Sequence, residues 1–226
     1  MKKRILILAA LFLAGMTTAS AQGKLFTEDL MQNDCAFETT GRNRYFILEP
    51  GYQLTLENKD GDKLIVTVLN ETRKVGNIET RVVEENESEG GKQTEVSRNF
   101  MAFCKQNGSI YYFGEEVDIY KNGKIVKGED AWMVGGNNKA GVIMPGLIFL
   151  GARYYQEIAP GTAMDRAEIV AIGETKTTPA GVFTNCLKTE ETTPLEPKEK
   201  EFKFYAPGIG LVQEEDLLLT KYGFVK

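Results

Sequence analysis

Two stretches of alternating side chains constrain the fold more than any other feature of the chain. Tyr52-Gln-Leu-Thr-Leu-Glu57 alternates apolar and polar residues, Asn58 to Asp62 supplies turn formers, and Lys63 to Leu69 resumes with β-branched side chains. Successive strand residues face opposite sides of a sheet, so this spacing predicts an antiparallel hairpin. Val117 to Lys121, Asn122-Gly123 and Lys124 to Val126 repeat the arrangement, and Asn-Gly readily takes the positive φ angles of a type I′ turn. Ile78 to Val83, Thr94 to Cys104, Ile110 to Phe113, Arg153 to Ile158, Ala167 to Ile172, Leu187 to Thr192, Phe202 to Tyr205 and Leu217 to Tyr222 carry the same signature. The pattern gives roughly ten to twelve strands. Glu84 to Gly91 reads as a charged hairpin loop, and Thr27 to Asn33 is the single helical candidate. The expected class is all-β: an antiparallel meander with at most a short N-terminal helix. Its sheet curves strongly into an open barrel or a sandwich, which removes exposed edges.

The N-terminus carries a different signal. Lys2, Lys3 and Arg4 precede an apolar run, Ile5 to Ala14, and Ala19-Ser20-Ala21 has the small residues of a cleavage site. This predicts a signal peptide over residues 1–21 and export to a periplasmic or extracellular space. Residues 22–226 then form one β-rich domain, with no integral membrane segment in the mature chain. Removing those three basic residues lowers Lys+Arg from 27 to 24 against 32 Asp+Glu, a net charge of −8. Such a chain lacks the clustered cations that nucleic acid binding needs.

The 226 residues include no histidine. That excludes Ser-His-Asp and Cys-His nucleophile systems, His-held zinc and imidazole switches. Carboxylates remain as chemical candidates: Glu115, Glu116, Asp118, Glu129, Asp130, Glu157, Asp165, Glu190, Glu191 and Glu214 to Asp216. An acid and a base about 5–9 Å apart would suffice for glycoside hydrolysis, but no catalytic residue is singled out by a motif. Asn58 to Asp62 begins like a calcium loop. Its twelfth position is Leu69 where a bidentate Glu belongs, so a turn is the better account and no metal or cofactor is expected.

Cys35, Cys104 and Cys186 allow one disulfide in an oxidising compartment, with one thiol left over; spacing does not select the pair. Tyr111-Tyr112-Phe113 and Tyr154-Tyr155 put rings on both faces of the sheet, so both faces need cover. An ordinary second layer would provide it, as would a curved sheet around a cavity. Val142 to Leu150, including Met144, is an apolar stretch whose content predicts burial.

Several strings in the chain are distinctive: Tyr111-Tyr-Phe-Gly-Glu-Glu116, Ile143-Met-Pro145, Pro160-Gly161 with Ala163 to Glu168, Asn185-Cys-Leu-Lys-Thr189 and Tyr205-Ala-Pro-Gly-Ile-Gly-Leu-Val212. Together they resemble a family of exported bacterial all-β proteins, a domain of unknown function, over roughly Tyr45 to Tyr222. The resemblance implies export and a β fold and brings no catalytic residue with it. The expected function is therefore a non-enzymatic binding or carrier module for an apolar or amphipathic ligand held between Tyr112, Phe113, Trp132, Met144 and Tyr155. Such a carrier needs a pocket of at least about 300 Å³. The alternative is a carboxylate-dependent hydrolase or lyase, which needs two acids converging in a cleft, one with a raised pKa. A structural or interaction role at the envelope is the further alternative.

Overall fold

The computed structural model describes residues 24–29, 31–127 and 131–225; the signal peptide expected over 1–21, and Glu129 and Asp130, lie outside them. The first three strands, β1 (Phe37–Glu38), β2 (Gly41–Arg42) and β3 (Ile47–Leu48), are two residues long, and β2 and β3 form a small sheet of their own. The helical candidate reduces to one 3-10 turn, Gln32–Asp34. A run of hairpins follows: β4 (Tyr52–Glu57), β5 (Lys63–Val75), β6 (Ile78–Glu89), β7 (Lys92–Cys104) and β8 (Ile110–Lys121). Three strands next pair with β8: β9 (Lys124–Lys127), β10 (Trp132–Met133) and β11 (Lys139–Met144). β12 (Arg153–Tyr155) and β13 (Glu157–Ile158) are separated by Gln156 alone. The chain ends in β14 (Arg166–Thr178), β15 (Gly181–Thr192), β16 (Glu201–Ala206), β17 (Gly210–Glu214) and β18 (Leu217–Phe224).

The large sheet runs β12-β14-β15-β16-β17-β18-β4-β5-β6-β7-β8-β11-β13, and every pairing along this path is antiparallel. Its two edge strands are successive pieces of one segment, so the sheet curls into a nearly closed barrel. β18 beside β4 joins the end of the chain to the first long hairpin, and Arg153–Ile158 makes the seam. At that seam a Cβ on Gly141 would sit 2.1 Å from the carbonyl oxygen of Gln156. Glycine is required there because two backbones touch.

The sequence-predicted loop at Glu84 to Gly91 is a correction. β6 continues to Glu89 and the turn is only Gly90-Gly91. By contrast, Asn58 to Asp62 is the expected turn: Asn58 Oδ1 accepts from the Asp60 and Asp62 amides, and Asp62 Oδ1 accepts from Gly90 N.

An N-terminal arm covers one outer wall. Phe37 stands edge-on to both Tyr111 and Phe113, with centroids 5.2 Å away in each case. Cys35 and Cys104 form a disulfide, Cα atoms 5.2 Å apart, that ties the arm to the end of β7; Cys186 is a buried free thiol. With the partners 69 positions apart in sequence, chain entropy alone makes the bond worth about 4 kcal/mol.

A second segment, Asn43–Leu48, stoppers one end of the barrel. Asn43 Nδ2 donates to the carbonyls of Gly108 (2.8 Å) and Pro145 (2.9 Å), and its Oδ1 accepts from Tyr45 N. Tyr45 is buried and donates its hydroxyl to Asn185 O, while Gly208 N donates to Arg44 O. The plug thus bonds to three turns and to β15. The apolar stretch after Met144 departs from expectation here: Met144 is buried, but Leu147, Phe149 and Leu150 lie on an exposed loop. Among the described residues no helix is long and apolar enough to cross a membrane.

If Gly141 sets the closure, Gly141→Ala will destabilise the fold by about 3 kcal/mol or more, since backbone atoms cannot move aside as a side chain can. A urea-unfolding midpoint equal to that of the parent protein would contradict the seam.

Candidate functional site

The interior of the barrel holds a cavity of about 220 Å³. Against the plug its lining is apolar: Phe46 and Ile47 from the plug itself, Tyr52 and Leu54 from β4, Val66 and Val68 from β5, with Met101, Ile143, Ile209 and Leu211. The rest is polar and mostly acidic. Glu85 comes from β6, Glu95, Ser97 and Asn99 from β7, Tyr112 and Glu115 from β8, Gln156 and Glu157 from the seam, and Asp165 from the loop before β14. Glu191, Lys203, Tyr205 and Glu214 complete the wall from β15, β16 and β17.

Strand alternation alone does not bring Tyr112 and Glu115 to the same face, because residues three apart should point oppositely. β8 carries a bulge: Glu115 pairs with Asn99 and Tyr112 with Met101, so two residues of β8 oppose Phe100 alone. The extra residue resets the phase and turns both side chains inward. Gly114, with φ 133°, makes this turn while Trp132 and Met133 of β10 lie against it. The Tyr112 hydroxyl then contacts Glu115 Oε2 at 2.9 Å and Asn99 Oδ1. The single phenolic proton is thus placed between the Asn99 amide and the Glu115 carboxyl group.

Charge in the lumen is arranged in two zones. In the first, Lys203 is paired with Glu191 (3.3 Å) and Glu214 (3.0 Å), and Glu191 also accepts from Thr189. Burial opposes the ammonium charge, but Glu191 and Glu214 outweigh it and hold Lys203 well above the ordinary lysine range. In the second zone acid faces acid. Burial first, then Glu115 and Asp165, push Glu157 well above the carboxylate range, although Trp132 Nε1 donates to it at 3.3 Å. Burial also lifts Glu85 to about 8, with Glu214, Glu87 and Glu115 adding to it and Lys203 opposing. Glu87, nearer solvent, is lifted to about 7 by burial and by Glu95 and Glu214. Glu85 and Glu157 retain intermediate exposure because they face the lumen, yet protein surrounds them.

Gln156 has no such company. It is 6% exposed, lines the lumen, and its Oε1 has no hydrogen-bond partner. Asp165, Glu191 and Lys203 also line a smaller depression of about 100 Å³ with Thr192, Thr193, Glu199, Lys200 and Glu201. These residues sit at the barrel end opposite the plug, so the polar zone is the one that meets solvent. Among the described residues no group of three or more His, Cys, Asp or Glu is placed to hold a metal ion.

Of the five rings and side chains singled out from sequence, Tyr112 lines the lumen. Trp132 stands behind it, edge-on at 5.4 Å, and reaches the site through Glu157. Phe113 faces the outer wall with Phe37, Met144 is buried away from the cavity lining, and Tyr155 packs outside near Phe26. The carboxylates fare differently: Glu115, Glu157, Asp165, Glu191 and Glu214 all converge on the lumen. Glu85, Glu95, Gln156 and Lys203 were not signalled as site residues. Their trace in the sequence is period-2 placement, Glu85-Asn-Glu87 and Phe202-Lys-Phe204.

Comparison with protein families, curated proteins and solved structures finds no match to this chain.

Carboxyl groups that hold protons in the fold but release them when unfolded favour the native state at low pH. Between their unfolded values near 4.3 and the folded values of Glu85 and Glu87, about 8 and about 7, the native state binds more protons, so stability falls as pH rises. Melting temperature should therefore be higher at pH 5.5 than at pH 8.5, and Glu85→Gln should flatten that slope. A melting temperature that climbs across this interval would contradict the arrangement.

Proposed function

We propose that the chain is an exported binding module, a member of the family it resembles, whose barrel lumen takes up a small amphipathic molecule. The observation that carries this reading is the division of one cavity into an apolar part against the plug and an acidic part towards solvent. At about 220 Å³ the cavity misses the roughly 300 Å³ that the expected carrier needs, so carriage of lipid-like cargo loses its basis and the reading is confined to a smaller guest. An apolar cavity of about 150 Å³ accepts benzene, which sets the scale: a single ring with a short polar arm. The test uses 2-phenylethanol and 2-phenylethylammonium as probes, followed by saturation-transfer NMR and by the fluorescence of Trp132, the one tryptophan. At least one probe should bind and be lost when Val66→Phe fills the apolar part. Binding of neither probe, or binding indifferent to Val66→Phe, overturns the reading.

A second reading rests on Glu157, a carboxyl group pushed towards its protonated form beside Glu115 and Asp165. This is what a carboxylate-dependent hydrolase or lyase needs of its general acid. Turnover of nitrophenyl glycosides that disappears in Glu157→Gln would favour catalysis; no turnover of any of them leaves binding as the better account.

A further inference from the structure

We infer that the lumen selects an organic cation bearing N–H donors, a primary ammonium or a guanidinium, seated on Gln156 with its apolar body against Tyr52, Leu54 and Val66. This rests on the reading of the lumen as a binding site and names the chemistry of its ligand.

Three observations converge. The first is an imbalance in the kinds of charged side chain. Among the described residues the cavity is lined by seven carboxyl side chains against one basic side chain, Lys203. That lysine forms its ion pairs with Glu191 and Glu214, and reaches Glu85 only through its field. The second is Gln156: its buried amide oxygen has no donor, an unfavourable state, and the residue lines the cavity. A ligand that brings N–H groups satisfies it; a ligand that brings only acceptors does not. The third is aromatic. Tyr52, Tyr112 and Tyr205 line the same cavity, and ring faces attract cations most where water is excluded.

A bare metal ion fits less well. The described residues contain no set of three or more ligating side chains placed around one point, and the apolar part of the cavity would be left unused. An organic cation uses both parts. The protons that Glu85 and Glu157 retain have the same origin, since a lumen crowded with carboxyl groups takes up positive charge in whatever form is offered.

The experiment compares three probes of matched size on the mature chain by isothermal titration calorimetry: 2-phenylethylammonium, 2-phenylethanol and 3-phenylpropionate. The ammonium should bind at least tenfold more tightly than the alcohol, and the carboxylate should not bind. Gln156→Leu should weaken ammonium binding about tenfold, while Gln156→Glu, which keeps an acceptor at the same place, should restore it. If the alcohol binds in the lumen as tightly as the ammonium, or the carboxylate binds best, the cation assignment is overturned and the lumen reading stands. If no probe binds, or Val66→Phe leaves all binding unchanged, the lumen reading itself fails. Ammonium selectivity that survives Gln156→Leu overturns the seat on Gln156. A Gln156→Leu chain that does not fold transfers that question to Gln156→Glu, where loss of ammonium binding overturns the seat.

Discussion

At Gly141 two backbones pass so closely that no side chain fits between them, and that contact closes the sheet. A curled antiparallel sheet left open there would present unpaired backbone along both edges. Because β12 and β13 are two pieces of one extended segment, the same six residues satisfy β14 on one side and β11 on the other. Everything inside the barrel depends on that closure. It brings Gln156 and Glu157 into the lumen with only β11 between them and β8, and it makes the inward faces of the long strands a shared wall.

The walls are costly to build. Buried surfaces are mostly apolar, whereas here Glu85 and Glu157 are held inside at the expense of their charge. The structure offsets this locally. Lys203 is neutralised by Glu191 and Glu214, Trp132 donates to Glu157, and the Tyr112 hydroxyl bridges Asn99 and Glu115. Much of the compensating stability comes from outside the lumen, in the outer layer of Phe37, Tyr111 and Phe113 and the disulfide that ties the arm across them. Groups kept in unfavourable surroundings by a stable frame are typical of sites rather than of cores.

The all-β meander was legible in the sequence because apolar and polar residues alternate wherever a strand separates core from solvent, as from Tyr52 to Glu57. The lumen was not, because its wall is polar. From Glu84 to Glu89 both faces of β6 carry polar side chains, so the period-2 signal has no apolar partner and the stretch reads as a loop. The bulge in β8 defeats simple alternation as well, since it places Tyr112 and Glu115 on one face. Trp132 lies in a strand of only two residues, and Gln156 gains its meaning from β11, distant in sequence. The acids Glu115, Glu157, Asp165, Glu191 and Glu214 were visible as candidates, but only the closure of the sheet gathers them. The cysteines were three equal candidates until the arm was laid against β7.

Among the described residues the plug Asn43–Leu48 shuts one end of the barrel, and its bonds to the turns at Gly108, Pro145 and Gly208 hold it there. A vessel stoppered at its base is entered from the other end. On the proposed reading, an elongated guest with one greasy end and one charged end would go in greasy end first. Its charged end would enter last and be the first to meet water again on the way out. Dwell time would then be governed at the acidic threshold rather than at the floor.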